Sequence, residues 1–152
     1  MSRVQLALNV DDIDQAVIFY SKLFGAEPAK RRPGYANFAV AEPPLKLVLL
    51  ENPGQGGSLN HLGVEVTDIS AVEAEQTRLA ATGLALADER DTTCCYAKQD
   101  KFWIKDAPNG ESWEFYTVLE DSATFYGQDD SQACCGGPAG SSAETAAGTT
   151  CC

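Results

Sequence analysis

Hydrophobic and polar positions alternate from the start of the chain, with Val4, Leu6, Leu8 and Val10 separated by Gln5, Ala7 and Asn9. A period of two marks a strand with one buried face. Asp12 follows with Gln15 three residues on, a capping-box spacing. Ile13, Ala16, Val17, Tyr20, Leu23 and Phe24 then recur at helical intervals, and Gly25 supplies a stop. Two more strands are predicted over 35–41 and 45–51, ahead of the Gly-rich linker Asn52-Pro53-Gly54-Gln55-Gly56-Gly57-Ser58.

The pattern then restarts. His61, Gly63 and Glu65 alternate with Leu62, Val64 and Val66, and Asp68-Ile69 opens a second helix running to about residue 83. Strand-like segments return near 95–99, 101–104 and 112–118, which places Cys94-Cys95 in a loop between the second helix and the next strand, free to close over a site. An offset of 56 positions carries Gln5 onto His61, Leu6 onto Leu62, Val10 onto Val66, Asp12 onto Asp68 and Leu23 onto Leu79, without a gap. Such a repeat predicts an α+β fold built from two βαβββ modules, 1–54 and 58–119, within one domain spanning 1–119. From residue 120 the composition turns to Gly, Ala, Ser, Thr and Asp, with no basic residue beyond Lys105, which predicts a flexible, cysteine-bearing tail over 120–152.

Composition narrows the function. The 152 residues carry 22 Asp and Glu against 11 Lys and Arg, a net charge of −11, which argues against nucleic acid as a partner. No apolar run approaches the roughly 20 residues of a membrane span. The first residues enter a strand pattern at once rather than a signal peptide, so a cytoplasmic protein is expected. Its six cysteines are then expected to be reduced thiols, and all come as neighbours: Cys94-Cys95, Cys134-Cys135 and Cys151-Cys152. Adjacent cysteines are poorly placed to bridge each other, whereas two neighbouring thiolates clamp a soft ion well.

His61 is the sole histidine. Within its strand it points away from Leu62, Val64 and Val66, and its repeat partner Gln5 points away from Leu6 and Leu8. On the last strand Glu114 lies on the opposite face to Trp113 and Phe115. Gln5, His61 and Glu114 are therefore expected to meet on one concave surface, as a three-donor metal set with open positions. A buried His–Glu hydrogen bond with Gln5 beside it is the alternative reading. Lys105, Tyr96 and Tyr116 are candidates for proton transfer.

The duplicated unit resembles the vicinal oxygen chelate superfamily, whose fold is a curved mixed sheet around a metal site. A closer resemblance rests on Val4–Val10, on Pro33-Gly34-Tyr35-Ala36-Asn37-Phe38, and on the run from Leu45 to Pro53. With Leu59-Asn60-His61-Leu62-Gly63-Val64-Glu65 and Thr92-Thr93-Cys94-Cys95-Tyr96 added, the chain is similar to the organoarsenical C–As lyases, ArsI-type dioxygenases to which CadI-like proteins are related. The resemblance spans about residues 1–119. It implies a non-haem Fe(II) enzyme that uses O₂ to split the carbon–arsenic bond of trivalent methyl- or aryl-arsenicals, releasing arsenite. Gln5, His61 and Glu114 match the family's metal ligands, and Cys94 and Cys95 its arsenic-binding pair. Some family members carry histidine at the first ligand position, where this chain has Gln5. The protein is expected as a monomer or homodimer acting on small molecules. Two other readings stand beside this one: a glyoxalase-like metalloenzyme, and a protein of this fold that sequesters cadmium or arsenite.

Overall fold

A computed structural model describes residues 1–126, and in it the repeat appears as two βαβββ units sharing one sheet. The first comprises β1 (Arg3–Val10), α1 (Ile13–Phe24), β2 (Lys30–Arg32), β3 (Tyr35–Val40) and β4 (Leu45–Glu51). The second comprises β5 (Leu59–Glu65), α2 (Ile69–Ala80), β6 (Leu86–Cys94), β7 (Ala97–Ile104) and β8 (Trp113–Asp121). The eight strands run in the order β2-β3-β4-β1-β5-β8-β7-β6. Antiparallel β1 and β5 lie at the centre, each flanked by a parallel partner, β4 or β8. The sheet is thus palindromic about the β1–β5 pair, the order expected of a duplicated unit.

Local chemistry sets both helices. Asp12 caps α1 by accepting from Gln15 N at 2.9 Å, and Gly25 ends it in the left-handed region at φ 62°. Asp68 does the same for α2 through Ala71 N. The apolar side of α1 buries Ile13 and Val17 against Ala36, Phe38, Leu47 and Leu49, while α2 buries Val72 and Leu79 against Val66 and Phe102. Burying each Leu, Val or Phe contributes about 1.5–3 kcal/mol. Both helices therefore cover the face of the sheet carrying Leu6, Leu8 and Val64. The other face is left to Gln5, His61 and Glu114.

The structure corrects three expectations. Two edge strands, β2 and β6, join the sheet, and β7 is one strand where two segments were expected. Cys94 and Cys95 lie at the turn between β6 and β7, rather than in a loop that follows the second helix. The domain also runs past residue 119. Glu120 and Asp121 complete β8, Ser122 N donates to Tyr96 O at 2.9 Å, and Tyr126 bridges to Cys94. Packing of Phe125 against Tyr35 and Tyr96 holds this extension down. Cys134, Cys135, Cys151 and Cys152 lie outside the described residues.

Candidate metal and substrate site

Strand alternation and the pseudo-twofold bring three polar side chains together at the centre of the concave face. Gln5 Nε2 lies 2.7 Å from Glu114 Oε1 and 3.0 Å from His61 Nε2, and His61 Nε2 lies 3.3 Å from Glu114 Oε1. All three residues are at most 4% exposed. Room for this approach comes from Gly63, where an added Cβ would meet Glu114 Cγ at 3.0 Å and Gln5 Nε2 at 3.4 Å.

A directional chain of hydrogen bonds fixes the His61 ring. Ser58 Oγ donates to the Gln55 carbonyl at 2.6 Å, and a carbonyl only accepts. Ser58 Oγ therefore accepts from Asn9 Nδ2 at 2.9 Å, which turns Asn9 Oδ1 toward Asn60 Nδ2 at 3.0 Å. Asn60 Oδ1 then faces His61 Nδ1 at 2.8 Å and must accept its proton. The assignment leaves a lone pair on Nε2, aimed at Gln5 and Glu114. Trp103 packs edge-on against the same ring at 5.6 Å between centroids.

Charge around Glu114 is equally arranged. Burial alone would push its carboxyl up, but the Lys101 ammonium, 3.2 Å from Oε2, is the largest influence in the other direction, and the carboxyl is held at about 2 instead of 4.5. Lys101 is 1% exposed and lies over the Trp103 ring at 4.8 Å. Farther along, Glu65 bonds both Lys46 (2.8 Å) and Arg3 (2.7 Å). Burial acts to raise the Glu65 carboxyl, yet these two cations and the Tyr116 hydroxyl lower it. Tyr116 OH lies between Gln5 Oε1 and Glu65 Oε2, and burial followed by the two carboxylates pushes this phenol well above its usual range.

Among the described residues, no three His, Cys, Asp or Glu side chains gather as a metal set, so a third donor has to be the Gln5 amide. The donor set fits a divalent ion: an imidazole lone pair, an ionised carboxylate and an amide, all on rigid strands. The pseudo-twofold supplies a fourth position. Val48 occupies it, opposite Ala7 in the β1–β4 ladder as Glu114 is opposite Gly63 in β5–β8. Among the described residues, that position therefore carries an apolar side chain in place of a donor.

The two thiols stand on that side. Cys94 is 1% exposed and packs with Val48, Ala7, Tyr35 and Leu50. Cys95 is half-buried and lines a cavity of about 290 Å³ together with Gln5, Val48, His61 and Glu114. The sulfurs are 3.2 Å apart, far beyond a disulfide of about 2.05 Å and within the span of one bridging atom. They sit on a tight hairpin turn whose two central residues, Cys95 (φ 56°) and Tyr96 (φ 60°), both adopt the left-handed region without glycine. Lys30 Nζ and Ser122 N both bond the Tyr96 carbonyl, and the Tyr96 ring packs on Tyr35 at 5.3 Å. These contacts tie the turn to β2, to β3 and to the segment after β8.

Of the proton-transfer candidates, Tyr116 reaches the centre, Tyr96 belongs to the turn, and Lys105 lies over the Trp103 ring at 5.4 Å. Sequence reasoning missed Asn60, Lys101 and Gln99. Asn60 adjoins the lone histidine and carried that signal, whereas Lys101 and Gln99 (the latter with a buried Oε1 lacking a hydrogen-bond partner) look like ordinary polar strand residues.

Residues 3–115 match the family model of the Glyoxalase/Bleomycin resistance protein/Dioxygenase superfamily. A trivalent organoarsenical cleaving enzyme of Thermomonospora curvata is 56% identical over 153 residues, covering 100% of both chains. The cadmium-induced protein CadI of Mycobacterium bovis is 67% identical over 125 residues, which cover 82% of each chain. An extradiol ring-cleaving dioxygenase from B. fuscum superposes with a TM-score of 0.55 at 19% identity, covering 79% of this chain and 33% of that one, a likeness of fold alone.

Proposed function

The chain belongs to the glyoxalase/bleomycin resistance protein/dioxygenase superfamily, and from that premise we propose that it cleaves the carbon–arsenic bond of trivalent organoarsenicals. In this reading Gln5, His61 and Glu114 hold Fe(II), O₂ is the co-substrate, and Cys94 and Cys95 bind arsenic. The observation that carries it is the common cavity, which Gln5, His61, Glu114 and Cys95 all line. The 56% identity to a trivalent organoarsenical cleaving enzyme, over the whole of both chains, supports the same substrate class.

Substrate capture follows from sulfur chemistry. Methylarsenite, CH₃As(OH)₂, exchanges its two hydroxyls for the two thiols, so that two As–S bonds form, two As–O bonds break and two waters leave. Both tethers start from one rigid turn, which fixes where the As–C bond lies and supplies proximity. Val48 and Tyr35 give that space an apolar wall and limit water. When bound, Fe(II) would supply an O₂-binding, redox-active centre beside the substrate. Lys101 keeps Glu114 ionised as a donor, and Asn60 keeps the His61 lone pair on Nε2. The atoms of one methylarsenite and one O₂ equal those of one arsenous acid and one formaldehyde. Carbon is oxidised, arsenic stays trivalent, and no further reductant is consumed.

The deciding experiment is incubation with Fe(II), O₂ and methylarsenite, followed by arsenic speciation. Arsenite release that requires all three is expected. Stoichiometric retention of unchanged substrate would instead favour soft-ion sequestration.

A further inference from the structure

Tyr116 stands where one hydroxyl proton faces two acceptors. Its oxygen touches Gln5 Oε1 and lies 3.0 Å from Glu65 Oε2, and Glu65 is pinned by Arg3 and Lys46. A phenol donates once and accepts through its lone pairs. With the Gln5 oxygen toward Tyr116, the two oxygens compete for that proton, while the Gln5 amide nitrogen donates to both His61 Nε2 and Glu114 Oε1. Rotating the amide by half a turn exchanges the two ends. Tyr116 then donates to Glu65 and accepts from Gln5 Nε2, and no competition remains on that side. On the other side Gln5 Oε1 now joins the His61 lone pair and the Glu114 carboxylate, three electron-rich atoms that repel unless a cation lies among them.

From this donor count we propose that Tyr116, anchored by Glu65, is a positioning residue that switches the Gln5 amide between two orientations. Nitrogen faces inward when the site holds no cation, and oxygen faces inward when it does. Gln5 is thereby a placeholder in the first state and a ligand in the second. Its nitrogen protons satisfy the same two acceptors that a metal would, which keeps the buried acceptors of a metal-free site paired. The inference rests on the reading of Gln5, His61 and Glu114 as metal ligands, and it assigns to Tyr116 a role in metal affinity rather than in chemistry.

The test is Co(II) binding, followed by calorimetry and by the Co(II) absorption spectrum, in the full chain. Tyr116→Phe removes only the hydroxyl and is expected to weaken Co(II) binding about 10–100-fold, the usual cost of losing an outer partner of a ligand. Glu65→Gln is expected to weaken it in the same direction, and serves if the phenylalanine variant folds poorly. The control is the Gln5→Glu background, where either carboxylate oxygen can face the metal and no amide needs orienting. There Tyr116→Phe is expected to change affinity less than about 2-fold, so the double-mutant cycle isolates amide orientation from general packing. Equal losses in both backgrounds, or no loss in either, would overturn the switch. Co(II) affinity unchanged in His61→Ala would overturn the metal-site reading itself, whereas loss in His61→Ala with none in Tyr116→Phe would overturn the switch alone.

Discussion

Val48 stands in the first half of the fold where Glu114 stands in the second. Their strand partners, Ala7 and Gly63, are equivalent under the repeat, and each faces its partner across a parallel ladder. Duplication thus creates four positions around the centre, filled here by Gln5, His61, Glu114 and an apolar residue. The apolar position adjoins Cys94, so the quadrant without a donor is the one beside the thiols. Its meaning is testable. Val48→Glu is expected to tighten Co(II) binding at least several-fold while abolishing arsenite release, because a fourth protein donor closes the substrate side. Its metal-free form is expected to melt earlier than wild type, since the new carboxylate lies among Ala7, Tyr35 and Leu50, and added Co(II) is expected to restore the loss. Metal titration and thermal melts read both effects, and weaker Co(II) binding would contradict the geometry.

Asn60 offers a separate test of the imidazole. Asn60→Leu leaves His61 Nδ1 without its acceptor and frees the tautomer, so metal affinity is expected to fall about 10–100-fold. Asn60→Asp keeps an oxygen in place and is expected to retain most of that affinity. If both variants bind alike, the chain from Ser58 through Asn9 does not set the ring.

Much of this site was legible because strands have period two. Once β1 and β5 are recognised as copies, Gln5 and His61 must share a face, and the alternation of Trp113, Glu114 and Phe115 adds the third member. The cysteine turn was misplaced because β6 hides its strand character. Leu86-Ala87-Asp88-Glu89-Arg90-Asp91 shows no alternation, and a bulge between Glu89 and Thr92 breaks its register. That is how an edge strand reads when charges guard it against further pairing. Lys101 was invisible for another reason. A strand lysine looks solvent-facing, and the tertiary approach of Glu114 and Glu89 makes its burial tolerable.

Glu114 also predicts how the metal-free protein answers to acid. Its carboxyl is depressed to about 2 in the fold against an ordinary 4.5, so it favours the native state above pH 4.5 and loses that contribution as pH falls toward 2. The shift corresponds to an order of ~3 kcal/mol. Urea unfolding in chelator is expected to show stability declining across that window. Glu114→Gln is expected to be less stable near pH 7, where buried Lys101 loses its nearer carboxylate and keeps the more distant Glu89 at 3.7 Å, and to show a flatter acid limb. A variant with the wild-type acid profile would remove Glu114 as its origin.

The sharpest prediction separates stability from function at the thiol turn. Cys94 is buried among apolar side chains, so Cys94→Ser adds a hydroxyl to the core and confounds loss of arsenic binding with loss of stability, roughly 1–3 kcal/mol. Cys95 is free of that problem. It holds φ 56°, a conformation that disfavours any side chain by about 1–2 kcal/mol and suits glycine. Cys95→Gly is therefore expected to melt at or above the wild-type temperature, because strain is relieved where only one thiol is lost. Arsenic then keeps a single As–S bond, and arsenite release is expected to fall to a small residue, while Co(II) binding through Gln5, His61 and Glu114 is unchanged. Thermal melts, metal titration and arsenic speciation on this one variant read all three. If it retains wild-type turnover, the pair does not hold the substrate. If it melts well below wild type, the turn is not strained, and the left-handed cysteine is there for some reason other than chemistry.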